Sequence, residues 1–160
     1  MKFSIATIAG FAIAISAASL PAAFTLVGDG GETVLTDGTN AYVGGDTDKN
    51  HEILILRSGS NGMISFTSKN STPTGFQNLY IIPNTVEPIA LTVPHSGATP
   101  KGASSNNFGV NDEGYFTHNG NAYFAKDGYG ESKVKELYWY GEHSSEYEAA
   151  NLYVKECKGC

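Results

Sequence analysis

The sequence predicts a single-domain, all-β fold, either an antiparallel β-sandwich or a barrel-like arrangement of short strands. Short apolar runs recur from Phe24 onward, turn-forming residues separate them at regular intervals, and 19 glycines are spread along the 160 residues. Regularly spaced short strands and turns are typical of sandwiches and barrels, not of alternating β and α units. This length suffices to bury the core of one domain.

The expected elements follow in chain order. The run 52–57 is the most continuous apolar segment, so we expect it to cross the centre of the core with both faces covered. Residues 144–150 begin with a serine cap and contain good helix formers, which predicts at most two helical turns. The predicted strands are 24–27, 33–36, 41–44, 52–57, 63–67, 79–82, 89–93, 107–110, 114–117, 122–125, 135–140 and 151–155.

Two stretches predict β-hairpins with a common plan, residues 32–46 and residues 113–127. The turns are Asp-Gly at 37–38 and Asn-Gly at 119–120, and Asn-Gly tolerates the positive φ angles that a type I′ turn requires. The tripeptide Asn-Ala-Tyr follows both turns. This similarity between the two stretches fits an internal duplication, and it also fits two hairpins that independently use the same turn residues. A β-trefoil is the alternative architecture, although no middle copy stands out.

The N-terminal segment predicts a secretory signal peptide. Lys2 supplies the positive charge, an apolar run follows, and small residues lead to Ala18. The apolar run is too short for a membrane span, so we expect no membrane association. Cleavage after Ala18 separates a signal peptide, residues 1–18, from an all-β secreted domain, residues 19–160. Cleavage after Ala22 is the alternative, and either predicts a secreted protein located outside the cell or in the cell wall.

Charge and motif content narrow the function classes. Sixteen acidic residues stand against ten basic ones, for a net charge of −6, which argues against nucleic acid and anionic lipid as partners. The four histidines show no metal-ligand spacing, and the chain has no Gly-x-Ser-x-Gly nucleophile elbow. We therefore expect no catalytic residues and no cofactor.

Two further motifs concern covalent chemistry. Cys157 and Cys160 lie at the C-terminus as Cys-Lys-Gly-Cys, and in a secreted chain a local disulfide is the first expectation. Intermolecular linkage and redox catalysis are the alternatives, and catalysis would need a helix that does not follow. Asn70 opens an Asn-Ser-Thr sequence in a predicted loop, which predicts a glycosylation acceptor and a glycoprotein.

An acidic segment resembles the opening of a calcium-binding loop. Asp46, Asp48, Asn50 and Glu52 place oxygen donors at alternate positions, as such loops do. A histidine occupies the position of the glycine that makes the sharp turn, however, and the bidentate glutamate is missing. An acidic hairpin loop leading into the next strand is the preferred interpretation.

Three consecutive aromatic residues, Tyr138, Trp139 and Tyr140, are candidates for ligand binding. Successive strand residues face opposite sides of a sheet, so Trp139 opposes the two tyrosines. An exposed face of this kind would offer a flat surface for sugar rings, whereas a sandwich covered on both sides would bury both sets.

The layout resembles small secreted fungal cell-wall proteins of the PhiA-like (phialide, IgE-binding) group. This resemblance implies a secreted, wall-associated protein without catalytic activity, and it supplies no active residues. Members often carry a cysteine just after the late hairpin, where this chain has Phe-Ala-Lys at 124–126, so their long-range disulfide cannot form here. The matching segments are 24–26, 31–45, 108–125, 137–140 and 151–157.

The functional expectation is therefore a non-catalytic structural or surface-interaction protein of the cell wall or extracellular space. Its expected partner is a wall polysaccharide such as chitin or β-glucan. A secreted glycan-acting enzyme on a β scaffold is one alternative, and a secreted effector or antigen that binds a host protein is another. Paired carboxylates in a cleft would favour the enzyme.

Overall fold

The computed structural model describes residues 18–70, 75–140 and 143–160. The fold is all-β, with 41% of residues in strands and 3% helical, as the sequence predicts. Among the described residues, no helix has the length and apolar character needed to cross a membrane. The strands are β1 (Ala23–Val27), β2 (Leu35–Thr36), β3 (Ala41–Val43), β4 (Glu52–Ile53), β5 (Leu56–Ser58), β6 (Ile64–Thr67), β7 (Phe76–Tyr80), β8 (Glu87–Pro88), β9 (Ala90–Leu91), β10 (Phe108–Val110), β11 (Phe116–His118), β12 (Phe124–Asp127), β13 (Lys135–Trp139), β14 (Tyr147–Ala149) and β15 (Tyr153–Glu156), with a 3-10 turn at Ser60–Gly62.

The strands form three antiparallel sheets. A six-stranded sheet has the order β15-β1-β5-β6-β7-β9. A seven-stranded sheet has the order β14-β12-β13-β3-β2-β4, with β8 paired to β13. Strands β10 and β11 form a separate pair. This arrangement is consistent with the predicted sandwich-like class.

A ladder of phenylalanine rings links the sheets through the core. Phe116 of β11 lies 6.0 Å, centroid to centroid, from Phe24 of β1 and 5.5 Å from Phe124 of β12. Phe108 of β10 stacks on Phe116 at 5.4 Å. These rings are buried. The two-stranded sheet thus supplies the side chains that connect the two larger sheets, and aromatic contacts of this kind add to the gain from burial.

The predicted central strand at 52–57 is wrong as a single element, because the chain changes sheets within it. β4 pairs with β2, whereas β5 pairs with β1 and β6. Between them, the Ile55 N–H donates back to the Ile53 carbonyl at 3.0 Å, a tight bend that ends the first ladder. Leu54 is buried and Ile53 is exposed, so the two faces are not both covered.

The two predicted hairpins have different outcomes. The first is confirmed, since Leu35 pairs with Tyr42 and Thr36 with Ala41. At the second, Asn119 and Gly120 have φ values of 49° and 79°, as a type I′ turn requires.

His118 and Asn121 close this turn with reciprocal backbone hydrogen bonds of 2.9 and 3.0 Å, but the strands separate beyond them, so the predicted hairpin is limited to a single bridge. Strand β11 pairs with β10, whereas β12 pairs with β13 and β14. Each strand pairs with its other neighbour in the sequence, β10 or β13, and these pairings override the turn signal. The strands in 32–46 pair with each other, whereas those in 113–127 pair with other strands. The strand pairing of the two stretches therefore does not repeat, as a duplication would suggest.

The helix predicted at 144–150 is also wrong. Residues Tyr147–Ala149 form β14, in which Tyr147 pairs with Asp127 and Ala149 with Ala125. The helix-forming residues of this segment are overridden because β12 offers an unpaired edge, and a ladder beside it satisfies backbone groups that a short helix would leave open.

Candidate functional site

The aromatic triplet on β13 does not form one surface. Leu137 and Trp139 point into the core, and the Trp139 side chain is 3% exposed. The Trp139 ring meets Phe124 edge to face at 5.0 Å. Glu136 and Tyr138 point to the opposite side of the sheet, because strand residues alternate. Trp139 therefore offers no face to a ligand.

Tyr140 packs with His143 and Tyr123 at the edge of the core. Its φ is 63°, which turns the chain away from β13. Its ring stacks on His143 with centroids 3.8 Å apart and planes 9° apart, and Tyr123 meets His143 edge to face at 4.9 Å. Tyr123 also lies 5.8 Å from Trp139, so Tyr140 borders the core that contains Trp139, whereas Tyr138 lies on the opposite side of the sheet.

Tyr138 lines an open cleft on the outer side of the seven-stranded sheet, with a volume of about 410 Å³. The rings of Tyr138 and Tyr147 lie 4.6 Å apart at 54°. This pair exists because β12 lies between β13 and β14 and carries the small Ala125 beside both strands. The cleft is lined by Asp127, Tyr129, Tyr138, Glu146 and Tyr147.

Hydrogen bonds hold the loop that carries Tyr129. The Asp127 carboxylate accepts the Tyr129 N–H at 2.9 Å, and the Tyr129 hydroxyl donates to the Ser145 carbonyl at 3.1 Å. The Lys135 ammonium donates to the carbonyls of Tyr129 and Gly130, each at 2.8 Å. Tyr129 is nevertheless 65% exposed, so its ring is both anchored and available to a ligand.

Two phenols of the cleft, those of Tyr138 and Tyr147, have raised pKa values. Burial raises the pKa of Tyr138, and the neighbouring Glu136 raises it further because it accepts the Tyr138 hydroxyl at 2.7 Å. Burial also raises the pKa of Tyr147, and the charges of Glu146 and Asp127 add to the effect. Both phenols therefore stay protonated across the physiological pH range.

Sequence reasoning found one residue of this cleft and missed the others. Tyr129 lies in a loop whose position relative to β13 depends on the fold. The sequence predicts helical turns at 144–150, which include Tyr147. Its place beside Tyr138 depends on the strand Tyr147–Ala149, which the sequence does not predict. The pairing of Asp127 with Tyr147 is non-local.

The proposed calcium-binding loop does not converge on a common point. The Asp48 carboxylate accepts the N–H groups of Asn50 and His51 at 2.7 Å each, which is a local turn. Glu52 instead accepts hydrogen bonds from the Ser68 hydroxyl and the Lys69 N–H. Asp46 is exposed. No group of three or more potential metal-binding His, Cys, Asp or Glu side chains occurs in the described ranges.

Two motifs at the surface concern covalent modification. Cys157 and Cys160 form a disulfide, and the Arg57 guanidinium donates to the Cys160 carbonyl at 2.9 Å. Asn70 is exposed, in keeping with the accessibility that glycosylation requires. The hydroxyl residues of its acceptor motif, at 71 and 72, lie outside the described residues.

A contact between the partly buried Ser104 and the buried His118 is a feature that the sequence did not reveal. Ser104 Oγ lies 2.9 Å from Nε2 of His118, whose side chain is 2% exposed. The other ring nitrogen lies 3.4 Å from the Asn119 amide nitrogen, and aromatic rings cover the imidazole. A catalytic dyad would need an accessible base oriented by an acceptor. The observed geometry is that of a structural core histidine.

Acid is expected to destabilise the fold through His118. Burial lowers the pKa of His118, with a smaller opposing effect from the Asn106 backbone, so the unfolded chain binds a proton at a higher pH than the folded chain does. Stability should therefore fall as the pH drops below the unfolded value of about 6.5 and continue to fall to the lower folded pKa. Urea unfolding of the wild type and of His118→Gln between pH 8 and pH 4 measures how the free energy of unfolding depends on pH.

The difference in unfolding free energy between the two proteins isolates His118, since the other titrating groups cancel. We expect the wild-type advantage to shrink as the pH is lowered. An advantage that stays constant over this range would show that His118 does not contribute to the acid sensitivity.

A scan against protein-family models, a search of curated proteins and a search of solved structures each find no match to the chain. The function is therefore inferred from the geometry of the cleft.

Proposed function

We propose that the chain is a non-catalytic, secreted protein of the cell wall or extracellular space that associates with polysaccharide through the tyrosine-lined cleft. The observation that carries this proposal is the combination of three tyrosine side chains with two carboxylates in one open cleft. Aromatic faces pack against the C–H faces of sugar rings, and carboxylates accept hydrogen bonds from sugar hydroxyls. The likeness to fungal wall proteins of the PhiA-like group supports the same role.

The packing of the N-terminal segment supports a mature chain that begins at Ser19. Leu20 packs against the core, and the Pro21 carbonyl accepts the Ser58 hydroxyl at 2.9 Å. Cleavage after Ala18 would keep both contacts, whereas cleavage after Ala22 would remove them. We therefore propose residues 1–18 as the cleaved signal peptide.

Binding to insoluble chitin and β-glucan tests the proposal. Residues 19–160 should be retained on at least one of these polymers, and Tyr129→Ala should weaken the binding about five- to tenfold, since one aromatic contact contributes about 1–1.5 kcal/mol. Quantitative depletion of the protein from solution gives the dissociation constants. A calcium chelator should leave them unchanged.

Tyr153→Ala is the matched control for Tyr129→Ala. Tyr153 is 51% exposed but lies on β15, in the six-stranded sheet. Its replacement should leave the affinity unchanged. Equal losses in the two variants would place binding elsewhere, and the absence of binding to any polymer would remove the polysaccharide role.

One observation favours a second function, hydrolysis of a glycan. Asp127 and Glu146 line the same cleft, and two carboxylates beside a bound sugar are what glycoside hydrolysis uses. Asp127, however, is already engaged with the Tyr129 backbone. The test is whether the protein releases reducing ends from soluble oligosaccharides. If it does, and if Glu146→Gln abolishes the release, the cleft is a catalytic site and the non-catalytic proposal is wrong.

A further inference from the structure

We propose that the cleft selects cationic polysaccharides, polymers that contain glucosamine, over neutral polymers of the same backbone. This inference rests on the proposed function, because it concerns the ligand of the same cleft. The three tyrosine rings supply the contact surface, and the distribution of charge around them determines which sugar is preferred.

The charges at the cleft have one sign. Asp127 and Glu146 are exposed and line it, and the described residues that line it include no lysine, arginine or histidine. Glu136, on the same side of β13 as Tyr138, accepts the Tyr138 hydroxyl at 2.7 Å. A bound sugar therefore meets carboxylates and no basic side chain among the described lining residues.

The lysines of this region do not line the cleft. Lys126, Lys133 and Lys135 line a separate pocket with Asp29 and Glu32. The Lys126 ammonium lies 3.8 Å from Glu148, and the Lys135 ammonium donates to the backbone carbonyls of Tyr129 and Gly130. The cleft lining therefore keeps two carboxylates and no basic side chain among the described residues.

A protonated amino sugar fits this arrangement better than its acetylated form. Its ammonium group can pair with Asp127 or Glu146, and it can also lie over a tyrosine face, where a cation is attracted to the π system. The N-acetyl group replaces the charge with a neutral amide and forfeits both interactions. The side chain of Tyr129, exposed and anchored next to Asp127, is the natural point of contact.

Titration calorimetry with two hexasaccharides tests the inference. Glucosamine hexamer and N-acetylglucosamine hexamer are compared at a pH at which the free amine is protonated, with residues 19–160 as the protein. We expect the glucosamine hexamer to bind at least about tenfold more tightly, and the preference to shrink as salt is added, because exposed charges are screened. The double variant Asp127→Asn, Glu146→Gln should bind the two hexamers about equally.

The matched control is Asp112→Asn, Glu113→Gln, which removes the same charge from an exposed turn before β11. It should retain the preference for glucosamine. Equal affinities in the wild type would overturn the cationic selectivity and leave polysaccharide binding intact. A preference that survives in the cleft double variant would overturn the assignment to Asp127 and Glu146. The absence of binding to either hexamer or to the insoluble polymers would overturn the proposed function itself.

Discussion

Replacing Phe116 with alanine is expected to lower the free energy of unfolding by about 3–5 kcal/mol. Phe116 is fully buried and contacts Phe24, Phe108 and Phe124, so its ring connects all three sheets. Its removal leaves a cavity between the six-stranded and seven-stranded sheets, where the rings of Phe24, Phe116 and Phe124 meet. The cost should lie near the upper end of the range, because strands from three sheets cannot all move inward to fill the space.

Chemical denaturation of the wild type and of Phe116→Ala measures the loss. Phe76→Ala is the matched control, since the Phe76 ring is 50% exposed at the edge of β7, and its replacement should change stability by less than about 0.5 kcal/mol. Similar small losses in both variants would contradict a core organised around Phe116.

Replacing Trp139 with alanine should also destabilise the protein by about 3–5 kcal/mol, and it should weaken ligand binding only as far as the fold is lost. The indole packs against Phe124, His118 and Tyr123 in the core. Trp139→Phe should cost much less. The indole Nε1 has no hydrogen-bond partner among the described residues, so phenylalanine removes a buried polar group that is already unsatisfied.

Thermal unfolding of the two Trp139 variants, together with polysaccharide binding at a temperature at which each is folded, separates stability from recognition. We expect folded Trp139→Phe to bind as the wild type does. A folded Trp139 variant that loses binding while Tyr129→Ala retains it would contradict the cleft and restore a platform centred on the tryptophan.

The cleft has a physical origin that links the fold to the proposed function. β14 adds to the edge of β12, which brings Tyr147 to within 4.6 Å of the Tyr138 ring two strands away. The loop after β12 then carries Tyr129 beside them, held by Asp127 and Ser145. The cleft is thus assembled from three consecutive strands, β12, β13 and β14, and the loop after β12.

The sequence by itself determined the all-β class and the first hairpin. Both depend on local chemistry. Turn residues such as Asp37 and Gly38 bend the chain wherever it lies, since the Asp37 carboxylate accepts the N–H groups of Thr39 and Asn40 at 2.8 Å each. The close spacing of Cys157 and Cys160 likewise indicated the disulfide that the structure contains.

Only the tertiary structure decided which strands pair and which aromatic residues face solvent. The chain changes sheets at 54–55, the second hairpin separates after its turn, and residues 147–149 form a strand where local propensity favours a helix. In each case the outcome depends on which strand offers a partner in the folded sheets, because backbone hydrogen bonds and buried rings are completed by neighbouring strands that the local sequence does not specify. Tyr138 was within reach of sequence reasoning, but Tyr129, Tyr147, Asp127 and Glu146 join it only because β12 lies between β13 and β14.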